Sequence, residues 1–163
     1  MGGMAYSPDG RRLAYWSKAS TTWDLIVIDA DGGNPVIVAS GVSVTSDPSL
    51  PAWSPNGATI AYSAATPEPA GPGCQTAQNG SFCTSRIFLA AVDGSGARQV
   101  GDPPLDARSP DWSPDGSTIA FGGGNASPAI GVHLYVMDAD GTDVRQLSDV
   151  VGSDWAFVRV DWS

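Results

Sequence analysis

Trp112-Ser-Pro-Asp-Gly116 leads into Ile119-Ala-Phe121, and Leu134-Tyr-Val-Met-Asp-Ala-Asp-Gly141 leads into Arg145-Gln-Leu147. This stretch decides the fold because the chain writes it three times. Tyr6-Ser-Pro-Asp-Gly10 precedes Leu13-Ala-Tyr15 and Ile28-Asp-Ala-Asp-Gly32, and Trp53-Ser-Pro-Asn-Gly57 precedes Ile60-Ala-Tyr62 and Ala91-Val-Asp-Gly94. A fourth copy begins at Trp162-Ser163. Self-similarity at such a period is the mark of a repeat architecture, in which no unit buries its own faces and neighbours must do so.

Each phrase is a turn with a mechanism. Pro presets φ at the second turn position, Asp tolerates the third, and Gly takes the left-handed conformation that leads out. Flanking β-branched and aromatic residues make it a hairpin, and the Asp-Gly phrase makes a second one. A repeat therefore holds four short strands, A to D. The first is expected at 3–6, 12–17, 24–28 and 35–38. The second is expected at 50–53, 59–64, 86–92 and 97–100. The third is expected at 109–112, 118–121, 133–137 and 143–147, and 157–162 would be an extra strand A. Runs such as Leu25-Ile-Val-Ile28 are apolar on consecutive positions, which suits strands buried on both faces. Small four-stranded sheets stacked face to face meet that need, and this is an all-β β-propeller. The expected blades are 3–38, 50–100 and 109–147, with an insertion at 66–85.

The run Trp-Ser-Pro-Asp-Gly, Ile-Ala-Phe, Leu-Tyr-Val-Met-Asp-Ala-Asp-Gly, Arg-Gln-Leu resembles the repeat of TolB-type β-propellers. Asp111 to Leu147 matches nearly throughout, while Tyr6, Asn56 and Ala91 depart from the pattern. The resemblance implies a propeller. It also implies two settings for it: a periplasmic protein that binds protein partners, or an accessory domain of prolyl oligopeptidase-like enzymes. Fold alone does not choose between them.

Composition narrows the classes. The 163 residues are 42% apolar and include 20 Gly and 13 Pro, which fits a folded chain of many turns. A net charge of −9 disfavours nucleic acid and anionic membranes as partners. No apolar run reaches the length of a membrane span. The sequence enters a repeat directly after Met1-Gly-Gly-Met4, with no signal peptide, and both ends read as cut from a longer array. Cys74 and Cys83 share one Gly/Pro/Ser-rich stretch. Their spacing is too wide for a redox Cys-x-x-Cys pair, and two thiols without a His cluster make a poor zinc site. A local disulfide is the expectation, with two free thiols as its alternative. Together with the resemblance it points to a periplasmic or extracellular setting.

Three blades do not close a ring. Either the chain is part of a larger propeller, or copies assemble, two of them giving the six blades that the resemblance implies.

The A–B and C–D turns share one end of the blades and are tight; the B–C and D–A connections share the other and are longer. Binding is expected at that second end, because function gathers on loops held by a rigid scaffold. Trp23 and Trp155 are candidate contact aromatics there, with packing beneath a loop as the plainer reading. Asp47, Asp106 and Asp154 precede strand A and could ring the channel mouth, or be solvated loop aspartates. Asp138, Asp140 and Asp143 alternate like calcium ligands, but an EF-hand wants a further acidic position and a late Glu. A hairpin turn explains them, so no cofactor is expected. Catalysis finds no nucleophile elbow, no His/Cys cluster, no phosphate loop and a single histidine, His133. The sequence therefore reads as a non-catalytic scaffold for a protein or peptide partner. Its alternatives are an accessory piece of a hydrolase propeller and a self-assembling structural unit.

Overall fold

The computed structural model describes residues 3–44, 48–65, 74–77, 80–83, 85–101, 106–124 and 133–148. Among these the chain forms three four-stranded antiparallel sheets and one two-stranded hairpin, with no helix. The first blade is β1 (Met4–Tyr6), β2 (Arg12–Ala19), β3 (Thr22–Asp29) and β4 (Val36–Val42), in that spatial order. The second is β5 (Ala52–Trp53), β6 (Thr59–Ala65), β9 (Ser85–Ala91) and β10 (Ala97–Val100). Between β6 and β9 lies the hairpin β7 (Cys74–Ala77) and β8 (Gly80–Cys83). The third is β11 (Asp106–Trp112), β12 (Thr118–Gly124), β13 (His133–Asp138) and β14 (Arg145–Gln146). These are the blades the repeats predict. The expected strand at 157–162 lies outside the described residues.

The Ser-Pro-Asp-Gly phrase works harder than a tolerant turn. Ser7 Oγ donates to Asp9 Oδ1 at 2.6 Å, and that oxygen also accepts the Arg11 N–H at 3.1 Å. The same Oγ accepts the Arg12 N–H at 2.9 Å, and the Ser7 N–H reaches the Arg12 carbonyl. Ser113 and Asp115 repeat this with Ser117 and Thr118, and Ser54 and Asn56 repeat it with Ala58 and Thr59. Asn56 serves because the acceptor is one sp² side-chain oxygen, Oδ1, which Asn and Asp both carry. The closing glycines, Gly10, Gly57 and Gly116, have φ of 69°, 66° and 73°, where a Cβ is disfavoured.

Register is the same in every blade. Leu13 faces Ile28, Ile60 faces Ala90, and Ile119 faces Met137; one residue on, Ala14 faces Val27, Ala61 faces Leu89, and Ala120 faces Val136. Because side chains alternate, the first series lines the face toward the preceding blade and the second the face toward the following one. Two cores result. Ala14, Trp16, Leu25 and Val27 meet Ile60, Tyr62 and Ala90 between the first two blades. Ala61, Ile87, Leu89 and Val100 meet Trp112, Ile119, Phe121 and Met137 between the second and third. Tyr62 carries Trp16 edge-on at 5.6 Å and stacks on Phe88 at 5.6 Å, and burial pushes its hydroxyl up to about 12.

Polar links tie the blades as well. The Trp53 indole N–H donates to the Ala5 carbonyl at 3.0 Å. Arg12 donates to the Gly57 carbonyl at 2.8 Å while its guanidinium lies 5.3 Å from the Trp53 ring centre. The Trp16 indole reaches the Ser49 carbonyl at 2.9 Å.

Candidate functional site

The end of the blades that carries the B–C and D–A connections is built differently from its sequence expectation. The B–C connection of the first blade, expected as a long loop at 18–23, is a tight hairpin. Strands β2 and β3 pair out to Ala19 and Thr22, leaving Ser20 and Thr21 as the turn, with Ser20 at φ 58°. Both strands run eight residues, so this ribbon carries regular pairing to the tip. In the second blade the connection contains its own ribbon, β7 and β8, in which Cys74 pairs with Cys83 and Ala77 with Gly80.

At this end the boundaries between blades are stapled by polar groups. Between the first and second blades, Ala65 N–H donates to the Ser43 carbonyl at 2.8 Å, and the Ser49 and Ser63 hydroxyls lie 2.8 Å apart. Between the second and third, Asp106 is the staple. Its carboxylate accepts the Ser85 N–H at 2.5 Å and the Arg108 Nε and Nη2 at 3.0 and 2.7 Å. Asp106 is only 3% exposed, and burying a carboxylate is costly unless such donors surround it. It thereby joins β11, which lies against β5, β6 and β9, to the start of β9. The sequence marks Asp106 as a channel-mouth candidate; the structure brings it to the inter-blade seam, paired rather than presented.

Trp23 has a similar fate. It is buried in the core between the first two blades, with the Lys18 ammonium 5.5 Å over its ring, so packing accounts for it. Asp47, Asp154 and Trp155 lie outside the described residues. His133 stands at the start of β13, its Nδ1 3.3 Å from both the Ser148 carbonyl and the Gln146 amide nitrogen. The Ser148 hydroxyl accepts the Leu134 N–H at 3.0 Å.

The aspartates of the Asp-Ala-Asp-Gly phrase face the opposite end and are occupied locally. Asp140 Oδ1 accepts the Thr142 N–H and hydroxyl at 2.9 and 2.7 Å, which lowers its pKa, the hydroxyl bond contributing most. Asp143 lies 3.5 Å from the Arg145 guanidinium. The serine of the Ser-Pro-Asp-Gly phrase, whose hydroxyl both donates and accepts, is the residue that sequence reasoning passed over. Its recurrence at Ser7, Ser54 and Ser113 is the signal that could have found it.

Comparison with known proteins agrees with this architecture. No family model matches the chain. It is 33% identical over 140 residues to the Tol-Pal system protein TolB of Anaeromyxobacter dehalogenans, which covers 84% of this chain and 26% of that protein. It is 28% identical over 120 residues to the uncharacterized peptidase YuxL of Bacillus subtilis, covering 70% of this chain and 16% of that one. Its fold matches the structure of a putative TolB from Agrobacterium tumefaciens with a TM-score of 0.69 at 24% identity, over 90% of this chain and 48% of the other. The chain is thus similar to TolB-type propellers and spans half or less of the length of these proteins.

Proposed function

We propose that the chain is a propeller scaffold that binds a protein or peptide partner at the end carrying the B–C and D–A connections, without chemistry of its own. One observation carries this reading: two of the B–C connections are paired ribbons, β2–β3 and β7–β8, on a rim whose seams are stapled by buried polar groups. A ribbon on a rigid base loses little conformational freedom when a partner docks, which is what a recognition surface needs. The likeness to TolB supports a partner that is a protein, and a periplasmic setting.

We also assign a disulfide to Cys74 and Cys83, on the register that sets them opposite one another. Directly opposed residues of an antiparallel pair have Cα separations of about 4.5–5.5 Å, inside the range a disulfide spans. The bridge would hold the second ribbon in one shape.

The test is selection from a displayed peptide library on the immobilised chain. Enriched peptides should lose binding when 74–83 is replaced by a Gly-Ser linker or when Lys18 and Thr22 are both changed to Glu. Enriched peptides indifferent to both changes, or no enrichment at all, would refute the site. A second reading is favoured by the match to YuxL: a propeller segment that positions substrate for a peptidase domain. It requires that the full polypeptide carry such a domain, and sequencing its gene through both flanks decides that.

A further inference from the structure

Among the three full copies of the Ser-Pro-Asp-Gly phrase, the second alone exchanges its carboxylate for an amide, and the exchange makes an Asn-Gly pair at Asn56-Gly57. Such a pair carries its own chemistry. The glycine nitrogen attacks the asparagine Cγ, ammonia leaves, and a five-membered succinimide ring forms. Water then opens the ring at either carbonyl, giving aspartate or isoaspartate. The net change is one water taken up and one ammonia lost. Glycine has no Cβ to hinder the attack, and Asn56 is exposed to the water that completes it.

The second blade holds this pair shut. Pro55 fills the second turn position and Asn56 the third without a positive φ, which makes the turn type I. The third residue of such a turn has ψ of about 0°, roughly 120° from the rotation that brings the next nitrogen over Cγ. The Gly57 N–H donates to the Ser54 carbonyl at 2.8 Å, so the attacking nitrogen is held away. Asn56 Oδ1 accepts the Ser54 hydroxyl at 2.8 Å and the Ala58 N–H at 3.0 Å, which fixes the side chain. Both neighbouring blades clamp the turn from outside. Arg12 Nη2 of the first donates to the Gly57 carbonyl at 2.8 Å, and Pro55 packs at Gly116 of the third, where an added Cβ would stand 3.6 Å from Pro55 Cδ.

We propose that Asn56 is a modification site gated by the fold: it deamidates only when the turn from Ser54 to Thr59 opens, and so keeps a covalent record of openings of the second blade. The two products then part ways. Aspartate is what Asp9 and Asp115 already supply in the sister turns, where Oδ1 accepts from Ser7 and Arg11 and from Ser113 and Ser117. The turn recloses on it with one negative charge added. Isoaspartate routes the main chain through Cβ and Cγ and lengthens it by one carbon between Pro55 and Gly57. The bonds that close the turn, Ser54 N–H to the Thr59 carbonyl and Thr59 N–H to Ser54 Oγ, then no longer meet. One opening thus either restores the repeat's own residue or breaks the hairpin between β5 and β6.

Peptide mapping by mass spectrometry, on chain kept at mildly alkaline pH, tests this. Aspartate and isoaspartate are separated by chromatography, and Asn56 is read apart from Asn79-Gly80, the other such pair in the sequence. In urea above the unfolding midpoint Asn56 should convert to both products. In the folded wild type at the same pH its rate should be at least about tenfold lower, because only the open fraction reacts. Arg12→Met keeps the alkyl stem, removes the clamp on the Gly57 carbonyl, and should raise the folded-state rate at least about threefold, the worth of one hydrogen bond. Asn56→Asp should fold and melt as high as the wild type. Equal rates in the folded chain and in urea overturn the proposal, whether or not the variants fold. So do no conversion at Asn56 in urea, a folded Arg12→Met that reacts no faster than the wild type, or an Asn56→Asp chain that does not fold.

Discussion

Trp53 and Trp112 occupy the same place in successive repeats, yet the same substitution should cost different amounts at each. The Trp53 indole N–H donates to the Ala5 carbonyl at 3.0 Å, and the ring sits beneath the Arg12 guanidinium at 5.3 Å. The Trp112 indole N–H is buried without a hydrogen-bond partner among the described residues. Changing either residue to Phe leaves a gap worth about 1 kcal/mol. At Trp53 the change also removes a hydrogen bond, about 1 kcal/mol net, and weakens a cation–π contact by roughly 0.5 kcal/mol. At Trp112 it removes a desolvated donor, and the relief of about 1 kcal/mol offsets the gap. Trp53→Phe should therefore destabilise the chain by about 2.5 kcal/mol and Trp112→Phe by less than about 1. For a chain of this length the two melting temperatures should differ by about 4–8 °C. Thermal and urea unfolding followed by circular dichroism at one chain concentration would measure both. Equal losses, or a larger loss at Trp112, would refute the assignment of the Trp53 bond as an inter-blade tie.

Gly141→Ala should destabilise by about 1–3 kcal/mol in the same assay, because Gly141 has φ 97° and a Cβ there would press on the Gly101 backbone. Hydrogen bonds, first from the Ser113 hydroxyl and then from Ser117, pull the Asp115 carboxyl down to about 2. Its folded pKa is thus below its unfolded one, so its contribution is intact above about pH 4 and is lost as pH falls from there through 2. Asp115→Asn should keep the turn, as Asn56 does, and flatten the acid limb of a melting-temperature profile; an unchanged limb would assign the acid sensitivity elsewhere. Oxidatively refolded chain should be two hydrogens lighter by intact mass than reduced chain, and Cys74→Ser should abolish that difference. The bridge should add no more than about 2–3 kcal/mol, confined to its ribbon.

The blades were legible in the sequence because turn chemistry and strand pattern agree within each repeat. Pro, Asp and Gly mark the hairpins, and consecutive apolar residues mark strands covered on both sides. For Trp23 the packing alternative is the one seen, and Asp106 lies deeper than either reading placed it, because position in a connection says nothing about depth. Asp106 belongs to a seam only because the Ser85 N–H arrives from the neighbouring blade, 21 residues away in sequence. The first B–C connection was misjudged because Lys18, Ser20 and Thr21 are polar enough for a loop. What makes them a ribbon is cross-strand pairing carried past the edge of the core.

The departures from the repeat carry as much as its matches. Tyr6 stands where Trp53 and Trp112 stand, on the face of the first blade directed away from the second, and it is 64% exposed. A phenol keeps the aromatic surface of the indole and can turn its hydroxyl to water. Arg12 is the matching change on the other face: Thr59 and Thr118 hold its place in the later blades, and it alone reaches across to the next turn, at Gly57. So the first blade is bound to the second by an added polar tie. A repeat interchangeable with its neighbours would need neither change.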